Sequence, residues 1–254
     1  MSTGAGDALR IAMWSGPRNV STAMMRAWEN RQDTVVVDEP FYAYYLANAD
    51  TRHPMHEEVI AAGETDWRRV VDALTGPVPG GRPIFYQKQM THHILPDVDP
   101  AWLTRVTNCF LIRDPRSVLL SYSKKRDTAT AEDIGFPQQQ RLFDFIYEAT
   151  GTVPVVIDSA DLLRNPRAML EALCRRLGVA FTDRMLEWPQ GSRESDGVWA
   201  PHWYGSVYES TGFAPYSPRT GTLAAELEPV LENCTPIYEA LHAHRLVPAT
   251  DGAT

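Results

Sequence analysis

The chain is short of lysine, of cysteine and of long apolar runs, and each shortage excludes something. Lysine occurs only at Lys88, Lys124 and Lys125 of 254 residues. No stretch approaches the roughly 18 consecutive apolar residues of a membrane span. The N-terminal "MSTGAGDALR" is polar and has no hydrophobic signal core, so the expected protein is cytoplasmic and independent of a membrane. Cys109, Cys174 and Cys234 are odd in number, far apart and without metal-ligand spacing. A disulfide framework and a zinc site are therefore not expected, and the three read as reduced, buried thiols. Basic charge is also in deficit. A formal net charge of -8 argues against a nucleic-acid surface, which needs a basic face to meet phosphate. An anionic ligand would need a local basic pocket.

What is present is a core: 44% of residues are hydrophobic, enough for one large domain over 1–254 with short flexible tails at 1–8 and 248–254. Apolar, β-branched runs bounded by turn residues recur at 9–14, 34–38, 82–88, 108–113 and 153–158, predicting five buried strands. Helical patterns fall at 21–30, 54–75, 115–125 and 137–150, then at 166–178 and 222–243. Strands alternating with helices predict an α/β fold of three layers, α/β/α, around a central, mostly parallel five-stranded sheet. Ligands of such sheets bind beyond the carboxyl ends of the strands. That edge would carry "WSGPRN", "DEP", "QKQMTHH" and "RDPRS". The aromatic, glycine-rich stretch 188–221 is too long for a plain connector and reads as a lid or a substrate-facing loop.

Two motifs carry chemistry. In "GPRNVST" (16–22) a buried strand meets a turn and then a helix, whose first backbone N–H groups lack internal partners and favour an anion. Pro17 shapes the turn, Arg18 offers a planar donor fork, and Ser21 and Thr22 add hydroxyls. Yet the turn lacks the Gly-Lys-Ser/Thr of a nucleoside-triphosphate loop. In "FLIRDPRSVLLSY" (110–122), Arg113 ends a strand and Ser121 lies two turns into the next helix, so both can converge on one anion. The plain alternative is that Ser21 caps a helix, Arg18 and Arg113 are solvated, and Ser121 is an ordinary helix serine.

Together these segments resemble the PAPS-dependent sulfotransferases, of the bacterial cytosolic type. "PRNVST" (17–22) is similar to the family's phosphosulfate loop, and "RDPRSVLLSY" (113–122) to its 3′-phosphate segment, with Pro115, Ser121 and Tyr122 in register. "VPVVIDSADLLRNPRAMLEALCRRLGVAF" (153–181) resembles the segment that follows. The resemblance implies a P-loop-like sulfotransferase fold and transfer of a sulfuryl group from PAPS to a hydroxyl or amine of a small acceptor, with 3′,5′-ADP released and no metal. It assigns the 5′-phosphosulfate to Arg18, Asn19, Val20, Ser21 and Thr22, and the 3′-phosphate to Arg113 and Ser121. Thr211 and Phe213 would sit by the adenine, and Arg219 would close over the 3′-phosphate. A homodimer is possible in such a protein.

Two departures stand out: Val20 replaces the usual loop glycine, narrowing the loop, and "YQKQMTHH" replaces a Lys-Thr-His signature. Glu39 is the first candidate base, since an acid beside a phosphate site is costly without a role. Its alternative, or that of Asp38, is a structural pair with Arg18. His92 and His93 compete as bases. Lys88 ends a strand and is expected to aim at the transferring group. Other readings are a donor-binding relative without turnover and a P-loop kinase of a small molecule. The kinase is disfavoured by the missing loop lysine.

Overall fold

The structure, a computed structural model, describes residues 8–123 and 128–248. The expected tails, apart from Ala8 and Pro248, lie outside the described residues, as do Lys124 and Lys125. Five strands form one sheet: β1 (Leu9–Ser15), β2 (Thr34–Asp38), β3 (Ile84–Met90), β4 (Thr107–Ile112) and β5 (Val155–Asp158). Their order is β2-β3-β1-β4-β5, and every pairing is parallel. The expected "mostly" parallel sheet is wholly parallel. Pro83 and Pro154, which cannot donate to a ladder, precede β3 and β5, so these strands start later than the apolar runs do.

Side chains alternate across the sheet, and both faces are covered. From β1, Ala12 and Trp14 enter one core with Phe85, Phe110 and Val156. Ile11 and Met13 enter the other with Tyr86, Cys109 and Ile157. This is the two-sided burial that makes strands of a parallel sheet read as continuous apolar runs.

The helices are α1 (Ser21–Glu29), α2 (Tyr42–Asn48), α3 (His56–Ala62), α4 (Trp67–Thr75), α5 (Pro115–Tyr122), α6 (Phe136–Thr150), α7 (Ser159–Arg164), α8 (Pro166–Leu177), α9 (Ala200–Trp203), α10 (Gly205–Tyr208) and α11 (Glu228–His242). The α1–α8 side packs under Ile11 and Met13: Met24, Met25, Leu170 and Leu173 all belong to that core. The opposite face takes Leu74 of α4, Phe143 of α6 and Leu241 of α11.

Three helical expectations need correction. The pattern at 54–75 is two helices, broken where Gly63 ends α3 and the Asp66 side chain accepts from the Arg68 N–H to begin α4. A Cβ on Gly63 would meet the Ala43 Cβ at 2.5 Å, so the break also lets α2 and α3 close together. The pattern at 222–243 becomes helical in earnest only at Glu228, after a short 3₁₀ turn at Ala225–Leu227. Residues 42–48, where no helix was expected, form α2, which carries Tyr42 and Tyr45 into a third apolar cluster with Trp199 and Tyr204.

Candidate active site

The site builds from the register of the sheet. β1 lies between β3 and β4, so its carboxyl end, where the turn 16–20 begins, is flanked by the carboxyl ends of both neighbours. The turn is packed from beneath. A Cβ on Gly16 would meet the Ile134 carbonyl oxygen at 2.4 Å, so only glycine admits that backbone. Arg18 then takes the left-handed conformation with φ of +57°, uncommon for a residue with a side chain. α1 follows at Ser21 with no side-chain cap and no acidic residue in its first turn, which leaves its positive end unscreened.

Here the two motifs meet. Arg18 Nε donates to Ser121 Oγ at 3.0 Å, and Arg113 Nη1 donates to the Arg18 carbonyl at 2.7 Å. The second motif holds its shape by local rules: Asp114 accepts from the Ser117 N–H at 2.7 Å and Pro115 opens α5. Arg219 arrives from the exposed loop before α11. Burial first, then the charge of Arg219, lowers the pKa of Arg18; burial, Arg219 and Arg18, in that order, lower that of Arg113. Among the described residues no carboxylate lies within ion-pair distance of these three guanidiniums. Asp114 and Asp158 offset part of this on Arg113 without reaching ion-pair distance, and the remaining excess of positive charge favours an anion that neutralises it.

The other first-motif residues are more internal. Asn19 Nδ2 donates to the Leu111 carbonyl at 2.8 Å and Asn19 Oδ1 accepts from the Val20 N–H at 2.9 Å, so this side chain ties the turn to β4. Val20 packs partly against the α1-side core, Ser21 is buried and Thr22 is half-buried. Thr211 and Phe213 lie beside Trp188: the Thr211 carbonyl accepts from the Trp188 N–H at 3.0 Å, and the Phe213 ring meets the Trp188 ring edge-on at 5.2 Å.

A second group forms at the carboxyl ends of β2 and β3, where the register sets Asp38 directly beside Lys88. Lys88 Nζ donates to Asp38 Oδ1 at 2.8 Å, to Glu39 Oε1 at 2.5 Å and to the Tyr204 hydroxyl at 2.7 Å. All three ammonium protons are thereby engaged, and the side chain is 1% exposed. Lys88, expected to aim at the transferring group, is placed inside a carboxylate pair. The structural pairing of Asp38 and Glu39 likewise falls on Lys88 and not on Arg18. Glu39 has φ of +44°, a second left-handed residue at the same sheet edge. Its side chain retains 12% exposure. Burial, opposed by Lys88 and reinforced by Asp38, raises its pKa. Burial works against the charge of Lys88, but Asp38 and Glu39 outweigh it and hold its pKa well above the ordinary lysine value.

The histidines follow in a 3₁₀ turn, Thr91–His93. His93 is stacked between Tyr42 and Tyr45, with ring centroids 4.6 and 4.9 Å away. Its Nε2 stands 4.0 Å from Glu39 Oε2, and its buried Nδ1 has no hydrogen-bond partner. Burial, then His92, His53 and Lys88, push its pKa well below the ordinary histidine value. It is neutral at pH 7. His92 packs edge-on against Tyr45 and 4.3 Å from the His93 ring centroid.

Tyr204 was missed by reasoning from sequence, where it was one aromatic among several in 188–221. Its hydroxyl donates to Asp38 Oδ2 at 2.7 Å and accepts from Trp199 Nε1 at 3.3 Å. Burial, then Asp38, keep it protonated far above the usual tyrosine range. No helix among the described residues is long and apolar enough to cross a membrane, and no group of three or more metal-ligating side chains forms among them.

Three arginines near the turn after β1 and a buried acid cluster thus share one edge of a parallel sheet. The chain belongs to the family described as "Sulfotransferase domain", whose profile matches residues 9–245. The fold matches the sulfotransferase from Alicyclobacillus acidocaldarius, with a TM-score of 0.54, 13% identity, and 94% of this chain and 97% of that one covered. It also matches the sulfotransferase domain of the Synechococcus PCC 7002 olefin synthase, with a TM-score of 0.51, 14% identity, and 91% and 97% covered. Two curated Arabidopsis thaliana relatives, branched-chain-amino-acid aminotransferase-like proteins 1 and 2, are 34% and 32% identical over 92% of this chain. The chain spans only 42% and 41% of their lengths, so their name describes proteins more than twice as long.

Proposed function

We propose that this sulfotransferase takes its sulfuryl group from PAPS and passes it to a hydroxyl or amine of a small acceptor. The observation that carries this reading is the arginine triad: Arg18, Arg113 and Arg219 face one another without a carboxylate in ion-pair reach among the described residues. A donor with phosphates at both ends of one nucleoside supplies the charge that such a cluster lacks. Arg18 and the uncapped start of α1, with Ser21 and Thr22, would hold the 5′-phosphosulfate. Arg113, Ser121 and Arg219 would hold the 3′-phosphate, with Thr211 and Phe213 on the adenine side.

PAPS supplies an activated sulfuryl group and leaves as 3′,5′-ADP. In the transfer the acceptor oxygen or nitrogen bonds to sulfur while the bond from sulfur to the phosphate oxygen breaks, its electron pair staying with 3′,5′-ADP. Glu39 takes the acceptor's proton. Its raised pKa strengthens it as a base at neutral pH, and Oε1 is anchored by Lys88 while Oε2 stands 4.0 Å from His93 Nε2. The arginines stabilise the charge that collects on the leaving phosphate. No residue in this scheme requires a metal. The buried free thiols Cys109, Cys174 and Cys234 fit a reducing, cytoplasmic setting.

The aminotransferase-like name of the plant proteins does not transfer here, because the matched region is the sulfotransferase domain. Calorimetric titration without metal decides the donor. Tight binding of 3′,5′-ADP over ATP and 5′-AMP supports PAPS. Preference for ATP returns the kinase reading, and no binding of any nucleotide overturns the donor assignment.

A further inference from the structure

The segment 188–221 reaches both halves of the site. Arg219 joins the arginine triad near one end of it, while Tyr204 enters the acid cluster from its middle. Tyr204 is 5% exposed and comes from a segment more than a hundred residues distant in sequence from Asp38, Glu39 and Lys88. The segment is anchored onto α1 by a largely buried pair, Arg26 Nη2 to Asp196 Oδ1 at 2.5 Å, and by Ser195 Oγ donating to Glu29 Oε1 at 2.5 Å. The Gly197 N–H donates to Asp38 Oδ2 at 3.3 Å. The segment is thus tied to the carboxylate that holds the lysine that holds Glu39.

We propose that Tyr204 is a positioning residue for Glu39: by holding Asp38 Oδ2 and one proton of Lys88, it fixes Lys88 on Glu39 Oε1 and leaves Oε2 free to accept a proton. This deepens the proposed function and rests on Glu39 acting there as the base. The geometry gives each oxygen a task. Asp38 Oδ1 accepts from Lys88, whereas Asp38 Oδ2 accepts from the Tyr204 hydroxyl and the Gly197 N–H. Without the hydroxyl, Asp38 has one donor fewer and competes harder for the ammonium. Glu39 then loses part of its counterion. It also loses the hydroxyl itself, 3.5 Å from its Oε1.

The charged and titratable groups around Glu39 come from every neighbouring element: Asp38 of β2, Lys88 of β3, His93 of the 3₁₀ turn and Tyr204. Tyr86 of β3 is fully buried and within electrostatic reach of Asp38 and Lys88. His93 is neutral and Tyr86 protonated at pH 7, so the balance on Glu39 rests with Asp38, Lys88 and Tyr204. This gives two conservative substitutions opposite signs. Tyr204→Phe weakens the hold of Lys88 on Glu39, and the Glu39 carboxyl should titrate at higher pH. Asp38→Asn removes a neighbouring negative charge and frees Lys88 for Glu39, which should titrate lower.

The test is a pH titration of the whole protein labelled with ¹³C at glutamate carboxyls, the Glu39 signal being identified by its loss in Glu39→Gln. Calorimetry with 3′,5′-ADP accompanies each variant. An upward shift in Tyr204→Phe with a downward shift in Asp38→Asn supports the proposal. Unchanged Glu39 titration in Tyr204→Phe, or shifts of the same sign in both, overturns it. Uniform loosening of the fold cannot produce opposite signs. If the titrations behave as expected but 3′,5′-ADP does not bind, the donor reading fails and the positioning role of Tyr204 stands. Should Tyr204→Phe fold poorly, the Asp38→Asn shift alone decides: a Glu39 titration that does not fall in that variant overturns the linkage.

Discussion

The two halves of the site treat charge in opposite ways. At the ends of β1 and β4, Arg18, Arg113 and Arg219 repel one another, and none of them has a carboxylate at ion-pair distance among the described residues, Asp114 and Asp158 acting on Arg113 only from further away. At the ends of β2 and β3, Lys88 is enclosed by Asp38, Glu39 and Tyr204, with every ammonium proton engaged. An uncompensated cluster is made for a charge that arrives and departs. A compensated one holds a fixed arrangement in which only a proton need move. In the proposed function the first half binds the donor and the second transfers the proton, although both stand on the same sheet edge.

The comparison breaks most sharply at the acid end. Glu39→Gln should keep 3′,5′-ADP binding and lower turnover by about 10²- to 10⁴-fold, the usual contribution of a positioned base. Turnover would be followed with labelled PAPS over a panel of hydroxyl and amine acceptors, and wild-type rates in the variant would remove Glu39 from the mechanism. Lys88→Met should cost roughly 3–5 kcal/mol of folding stability, because it strands two buried carboxylates. Chemical denaturation reads this directly, and a loss below about 1 kcal/mol, the scale of an exposed pair, would show that the cluster is not a compensated one.

At the arginine end the expected effect is smaller and selective. Arg113→Ala should weaken 3′,5′-ADP by about 1.5–3 kcal/mol, the scale of a charge-assisted hydrogen bond, and scarcely alter 5′-AMP. Equal losses for both nucleotides would deny Arg113 the 3′-phosphate. The smallest effect concerns pH. Glu39 is raised by burial, so turnover should fall as pH drops through a limb lying above the ordinary glutamate range. Burial keeps His93 neutral, so His93→Gln should leave the position of that limb unchanged. A limb that moved or vanished in His93→Gln would transfer the base role to the histidine.

How much of this was legible beforehand differs between the same two halves. The arginine end lies in two short motifs whose local chemistry is largely self-contained: Pro17 shapes a turn, Asp114 and Pro115 start a helix, and Arg113 follows directly on a strand. Such features depend on near neighbours in the chain, so their pattern survives in one dimension. The acid end is different. Lys88 and Glu39 were both singled out, but the lysine was expected to aim at the transferring group, since nothing near it in sequence says which carboxylates will flank it. Asp38 meets Lys88 only because β2 and β3 pair in that register. Tyr204 joins them only because 193–204 is anchored onto α1.

By itself, then, the order of apolar runs and helices determined a parallel, two-sided α/β sheet, and the turn residues determined which edge of it would carry both motifs. These follow from periodicity, capping and the special backbone of glycine and proline, all local properties. Only the tertiary structure decided which charges are compensated. Burial and neighbouring charge set the behaviour of Lys88, Glu39 and His93, and both arise from segments that are distant in the chain until the sheet assembles.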